Sequence, residues 1–495
     1  MSLEPTTPKP VIHLENVSLD FNARRVLENV SLSVANGEFI AVLGSSGGGK
    51  STLLRLIAGL LHGTGKLEVT AATAMVFQDY RLLPWRTVRH NVQLPAEIGT
   101  AGMNPDEALT LVGMQNFASL YPHQLSGGMR ARVAIARALA QDAPILLMDE
   151  PFAALDALVR ERFNLELKKI HEKTGKTIIL VTHSIREAVY LADRVAVIKN
   201  GQIELIMETK GQGRITAFTE PLEAQLREVL GVADSTHIEE PPRALRFPWE
   251  LVGVFGVMLL LLLAWTVFVP ESTLTFPTLA RVWSALLERR AVLALGALET
   301  LRITGLGLLC SLFLGVGAGY IFGKIKILER LFSPIVVALQ AVPVIVIAPI
   351  LVVLLGYGTT SRVLVATLIS LFPILTATMI GVREVDKLYR EVFTTMGSSF
   401  WGILSRLEIP GALPVMLGGL RNTASLALIG AVVAEFTFGA NSQGNSGLGA
   451  LAQSARYEGS TDFLFAAVIV LIALGIGIYA FITLLETWVL RYRRR

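Results

Sequence analysis

Residues 38–52 read EFIAVLGSSGGGKST, and this stretch decides the fold of the first half of the chain. A short apolar run, Phe39 to Leu43, ends in a glycine loop, and a helix-forming stretch, STLLRLIAGLL, follows it. The pattern GxxxxGK[ST] between a strand and a helix is the context in which it reads as a phosphate-binding loop. Gly44, Ser45, Ser46, Gly47, Gly48 and Gly49 let successive backbone N–H groups converge on one phosphate. Lys50 reaches the outer phosphates of a nucleoside triphosphate, the Ser51 hydroxyl is a ligand for Mg2+, and Thr52 stands beside them at the helix start.

Two further apolar runs read as strands whose ends carry chemistry. Ile145 to Met148 leads into Asp149-Glu150. The first carboxylate can hold Mg2+ and the second can orient or deprotonate an attacking water. IILVTH, residues 178–183, finishes on His183. In an open α/β sheet the ligand site lies at the carboxyl ends of the strands, which would gather these groups with the glycine loop. A second anion-binding pattern then needs explaining. HQLSGGMRARVAIARALA (123–140) places Ser126, Gly127 and Gly128 at the start of a basic, alanine-rich helix, and N–H groups at a helix start favour a phosphate.

The order P-loop, LSGG, carboxylate strand, strand-end histidine resembles the ATPase subunit of ABC transporters, over about residues 11–230. The resemblance implies an enzyme that hydrolyses ATP with Mg2+. It implies that Ser126, Gly127 and Gly128 contact the γ-phosphate of ATP held by a second copy, so that two P-loops face two LSGG helices across a homodimer. It also implies that Phe21 stacks on adenine, and that Gln78, in VFQDYRLLPW, senses Mg2+ and the γ-phosphate. Asp156, in FAALDAL, takes the place at the dimer seam. Met129 stands where glutamine is commoner. With Glu150 and His183 both present, both sites of a homodimer are expected to be competent.

Composition divides the chain at about its midpoint. The hydrophobic share is 52% of 495 residues, and from residue 251 onward it is concentrated in runs long enough to cross a bilayer, which takes about 20 residues. MSLEPTTPKP at the start is too polar for a signal or transit peptide, so the first half is expected in the cytoplasm. Cys310 is the one cysteine; it permits no intrachain disulfide and reads as core packing. The terminal RYRRR reads as the cytoplasmic flank of a membrane segment and not as a nucleic-acid site. Organisation follows: an α/β P-loop ABC ATPase domain at 1–231, a proline-bearing linker at 232–249, and an all-α transmembrane permease domain at 250–495.

Six spans are expected, at about 251–269, 298–323, 332–355, 363–382, 414–438 and 463–489. An even number puts both termini on the ATPase side of the cell (inner) membrane, and KIKILER, REVDKLYR and RYRRR agree with positive-inside. In FPTLARVWSALLERR, the spacing of Leu279, Val282, Trp283 and Leu286 predicts a helix, lying at the interface or packed on neighbouring spans. The third span carries three prolines, and Gln340 beside them is a pathway candidate. Glu435 is expensive in a membrane unless paired, and Arg302 is a candidate partner.

The cytoplasmic loop at about 384–411 contains YREVFTTMGSSFWGILSRLEIP. A helix, a break at Gly397 and a second short helix would present a compact element. The spacing of Glu391, Gly397 and Ile409-Pro410 resembles the EAA loop of ABC importer permeases, with Val392 and Phe393 in place of small residues. That resemblance implies a coupling helix docking beside the Gln78 loop. VFQDYRLLPWRTV, LQAVPVIVIAPILVVLLG and AEF…GNSGLG together resemble the nitrate/taurine/alkanesulfonate branch. The chain then reads as a homodimeric importer of a small solute, an anion such as nitrate, taurine or another sulfonate. The solute would be delivered by a separate external binding protein. A pyrimidine-type vitamin precursor and a non-transporting signalling complex are the alternatives. A soluble ABC ATPase is excluded by the spans, and an exporter would lack the EAA loop.

Overall fold

The computed structural model describes residues 10–21, 24–45, 47–100, 102–153, 157–209, 277–325, 327–328, 330–332, 334, 344–439 and 446–490. Two compact units divide the chain. One ends at His237 and takes in Asp386–Leu407 as well; the other holds Ile238–Val385 and Glu408–Arg491.

The first unit is built on two sheets. β1 (Pro10–Phe21), β2 (Arg24–Ala35) and β4 (Thr64–Val69) form a three-stranded antiparallel sheet in the order β2-β1-β4. The second has the order β5-β6-β7-β3-β8-β9, from β3 (Phe39–Leu43), β5 (Thr73–Val76), β6 (Ile145–Asp149), β7 (Thr177–Thr182), β8 (Arg194–Lys199) and β9 (Gln202–Glu208). Its pairs are parallel except β8 with β9. Every residue of FIAVL, ILLMD and TIILVT is buried, because helices cover both faces of a parallel sheet and leave no polar side.

Topology brings the chemistry together. β7 lies between β6 and β3, with Asp149 opposite Val181 and Leu43 opposite Thr182. The glycine loop, Asp149-Glu150 and His183 therefore leave three neighbouring strands at the same edge. α1 (Lys50–Ile57) begins at Gly49, whose φ of 97° is open to glycine at no steric cost. A methyl there would also come within 2.9 Å of the Val26 carbonyl oxygen. α2 (Gly127–Ala140) starts with the Ser126 hydroxyl accepting from Met129 N–H at 3.3 Å, an N-cap. α3 (Ala157–Thr174) and α4 (Ile185–Leu191) precede β7 and β8.

The second unit is helical. α5 (Leu279–Glu288), α6 (Arg290–Lys324), α7 (Val344–Leu355) and α8 (Thr359–Glu384) lead to the segment that joins the first unit. There α9 (Lys387–Thr395) is followed by a turn at Phe400–Ile403 and a π-helical turn at Leu404–Glu408. α10 (Ile409–Phe438), α11 (Leu448–Tyr457) and α12 (Thr461–Val489) complete the unit. Ala366 of α8 sits between two glycines. An added methyl would fall 2.6 Å from its Cβ at Gly307 of α6, and 2.7 Å from its Cα at Gly430 of α10. Small residues thus let three helix backbones approach, the usual solution where lipid removes a hydrophobic drive between helices.

Among the described residues four helices are long and apolar enough to span a membrane: Arg290–Lys324, Thr359–Glu384, Phe400–Phe438 and Thr461–Val489. They match the second, fourth, fifth and sixth expected spans. The first expected span and the linker lie outside the described residues, and α7 lies within the third. Side chains such as Phe313, Val353 and Leu484 are exposed, as lipid-facing positions require. Cys310 is exposed too. It faces outward from α6 and not into a core, because a long apolar run signals a span but not which face of it packs. In α5, Val282 is buried against Phe463 and Ala466 of α12, whereas Trp283 is 63% exposed. Packing on a neighbouring span thus accounts for one face of this helix.

Candidate nucleotide site and coupling segment

A cavity of about 910 Å3 opens over the glycine loop, lined by Gly47–Ser51, Thr52, Phe21, Gln78 and Glu150, with Arg25, Asn200 and Gly201 at its side. Lys50 is buried, and its ammonium donates to the Gly44 and Ser45 carbonyls at 2.8 and 2.9 Å. It also lies 3.7 Å from Glu150 Oε1. A cation held this way is aimed at the loop before any phosphate arrives. The loop's glycine backbone and the start of α1 supply the N–H groups and positive helix end that an anion needs.

The Ser51 hydroxyl donates to Asp149 Oδ1 at 2.8 Å. Burial pushes the Asp149 carboxyl up, and the Ser51 hydrogen bond partly offsets this. A hydroxyl and a carboxylate side by side are hard oxygen donors suited to Mg2+, which typically takes one or two protein groups beside substrate phosphates. No group of three or more His, Cys, Asp or Glu side chains suited to a metal occurs among the described residues.

Glu150 has a φ of 42° and donates its N–H to the Val181 carbonyl at 3.0 Å. Its Oε2 lies 3.4 Å from His183 Nδ1. The histidine hydrogen bond holds the Glu150 carboxyl below its ordinary value, and the carboxylate in turn raises His183. Such a charged carboxylate can polarise a water beside the outermost phosphate. Phe21 lines the cavity with 46% of its surface exposed, leaving a ring face free for a base. Ser126, Gly127 and Gly128 are absent from the described lining of this cavity, and the Ser126 side is exposed at the start of α2. Ser46 and Asp156 lie outside the described residues, as does Gln340.

Within the same unit, α9 is seated on the loop that follows Gln78. Arg81 donates from Nη1 to Glu391 Oε2 at 2.6 Å and to the Leu388 carbonyl at 3.0 Å, and stacks 3.7 Å over the Phe77 ring. Arg55 of α1 lies 3.7 Å from the same Glu391 oxygen. Trp85 meets Tyr389 edge-on at 6.1 Å, Thr100 donates to the Met396 carbonyl at 3.1 Å, and Glu97 accepts from Arg406 at 3.2 Å. Motif spacing points to Glu391 and the Gln78 loop but to neither arginine. Arg81 stands in the quoted VFQDYRLLPW, where a charged residue beside an aromatic reads as solvated loop.

In the second unit Glu435 is fully buried. It accepts from Thr300 Oγ1 and from Gly449 N–H, each at 2.9 Å, so its satisfied oxygen serves the start of α11. Arg302 pairs instead with Glu299 at 3.2 Å. The expected Arg302–Glu435 partnership is replaced because residues three apart on one helix meet first.

The chain has relatives among known proteins. Residues 27–153 match the family described as ABC transporter, and residues 311–491 match the binding-protein-dependent transport system inner membrane component. An aliphatic sulfonates import ATP-binding protein of Frankia alni is 42% identical over 224 residues, covering 45% of this chain and 91% of that protein. One of the same description from Streptomyces avermitilis is 40% identical, covering 47% and 95%. An uncharacterized ABC transporter ATP-binding protein of Methanocaldococcus jannaschii is 47% identical, covering 40% and 82%. Among solved structures, a dimeric post-hydrolysis ATP-binding cassette bound to ADP and Pi aligns at 33% identity, with a TM-score of 0.37, over 40% of this chain and 99% of that one. The chain belongs to the ABC transporters, and it joins an ABC ATPase and a binding-protein-dependent transport permease in one polypeptide.

Proposed function

We propose that two copies of this chain form an importer for a small organic or inorganic anion, a sulfonate or nitrate, delivered by a separate external binding protein. The observation that carries the reading is the joining of a nucleotide cavity over Lys50 to a permease segment seated on the same ATPase through Arg81 and Glu391. The names of the sulfonate-importing relatives support the anion class. Two copies are supported by the exposed Ser126 end of α2 lying off its own cavity lining: a helix start favours an anion and fits a phosphate held by another chain.

Each residue then has a task. Gly44–Thr52 wrap the phosphates and Lys50 neutralises the outer two. Ser51 and Asp149 would hold Mg2+, with Gln78 beside them; when bound, the ion neutralises charge developing on the phosphates. Glu150 orients the attacking water and receives its proton, and His183 keeps Glu150 in place. Phe21 stacks on the base, Asp156 belongs to the seam between copies, and the partner's LSGG closes the site. Six spans per chain, with both termini cytoplasmic, complete the arrangement in the inner membrane.

The test is Glu150→Gln, which keeps size and removes the acceptor for the proton. Nucleotide binding should persist, while ATP hydrolysis falls on the order of 100-fold or more, because phosphoryl transfer depends on a positioned water. Near-normal turnover by the purified variant would overturn the assignment.

A further inference from the structure

Arg137, on α2, is 1% exposed, and among the described residues it makes no ion pair with a carboxylate. Its guanidinium donates instead to two successive backbone carbonyls, Nη1 to Arg81 at 2.6 Å and Nη2 to Tyr80 at 2.8 Å. A buried cation without a carboxylate is costly, and a leucine or methionine would fill a helix–sheet core more cheaply. The cost is visible in the group itself: burial and the neighbouring Arg81 bring its pKa down to about 10.

The two carbonyls belong to an unusual turn. Tyr80 and Arg81 both have left-handed backbones, with φ of 59° and 47°, a conformation that non-glycine residues hold only when their surroundings enforce it. From that turn the buried Arg81 side chain reaches Glu391 Oε2 and the Leu388 carbonyl of α9. A relaxed turn would swing the guanidinium away from α9. α2 also meets this segment at its end, where the Gln141 amide donates to the Thr395 carbonyl at 3.3 Å. Ser126 caps the opposite end of the same helix, eleven residues from Arg137 and about 16 Å along it.

We propose that Arg137 is a positioning residue for energy coupling: it locks the Tyr80–Arg81 turn so that Arg81 can grip Glu391, and it ties that grip to the helix bearing Ser126. The proposal rests on α9 being the element through which the permease acts on the ATPase. Arg137 is not among the residues lining the nucleotide cavity, and its hydrogen bonds go to Tyr80 and Arg81 and not to Glu391, so it acts through Arg81.

A double-mutant cycle on the full chain in nanodiscs tests this. Arg137→Gln should lower kcat for ATP hydrolysis by about tenfold, within the range a misplaced group costs, with the KM for ATP little changed. Glu391→Gln should do the same. The double variant should be no slower than the slower single, because both break one grip and coupled residues are not additive. Multiplying losses, or a KM rising in step with the loss of kcat, overturn the role of Arg137. If Glu391→Gln alone leaves kcat unchanged, the coupling reading itself fails, and the proposal with it. If Arg137→Gln does not fold, Arg137→Lys carries the same cycle, since it keeps the charge and replaces the planar fork by a single amine.

Discussion

At the scale of single residues, the site divides into groups that spacing reveals and groups that only the fold assembles. Lys50 and Ser51 are legible from the glycine loop that leads into their helix, and Glu150 from its place just past an apolar strand. Arg81 and Arg137 are not, since their partners come from a left-handed turn and from a segment about three hundred residues further on. The Glu150–His183 pair makes a pH prediction. Its pKa shifts favour the charged form of each partner: Glu150 is depressed below 4.5 and His183 raised above 6.5. The stabilising contribution of His183 is full below 6.5 and is lost as pH rises through its raised folded value. That of Glu150 is full above 4.5 and is lost as pH falls through its depressed value. The pair therefore supports the fold from mildly acid to near-neutral pH, modestly, since both groups are partly exposed. Comparing the Tm of the wild-type chain with His183→Gln across pH should give a gap that narrows as the medium becomes alkaline. A gap that widens there would reverse the assignment of charge.

Among the elements, the buried strands are readable as continuous apolar runs and the long helices as spans. What the sequence hides is which faces pack. The outward side of Cys310 and the inward side of Val282 follow from tertiary neighbours and not from periodicity. α9 shows how far local signals reach. It ends at Gly397, with a φ of 67°, after which Ser398 N–H donates back to the Phe393 carbonyl at 3.0 Å. This is a glycine helix stop. A methyl at Gly397 would meet nothing within 4 Å, so substitution acts through the backbone alone. Gly397→Ala should cost about 1 kcal/mol of local stability, and Gly397→Asn less, because asparagine tolerates the left-handed region. Amide hydrogen exchange over 387–396 should quicken by about fivefold in the alanine variant. Equal rates in the three proteins would mean that another feature ends the helix.

For the whole molecule, one chain carries both the ATPase and the permease, so two copies would supply two nucleotide cavities and two sets of spans. Composition marks off the membrane half, because a bilayer demands apolar runs that an α/β domain does not need, while the ATPase is legible from its motifs. Substrate choice is not legible. The described spans bury Glu435 on Thr300 and Gly449, which serves the fold of α11 and names no ligand. The described connections between the long helices of the second unit include short helices, such as α5 and α11. The permease half matches the binding-protein-dependent transport family, and under the proposed function recognition comes from a separate binding protein. Its docking can drive the ATPases together only if it binds the two permease conformations with different affinity. Coupling energies of the usual size correspond to a change of about fivefold or more. The purified chain in nanodiscs should therefore hydrolyse ATP slowly alone, and at least about fivefold faster with a sulfonate-binding protein loaded with taurine or an alkanesulfonate. The same binding protein without ligand should stimulate less. Uptake of labelled taurine into liposomes at full rate with no binding protein present would place solute recognition inside the permease and overturn this division.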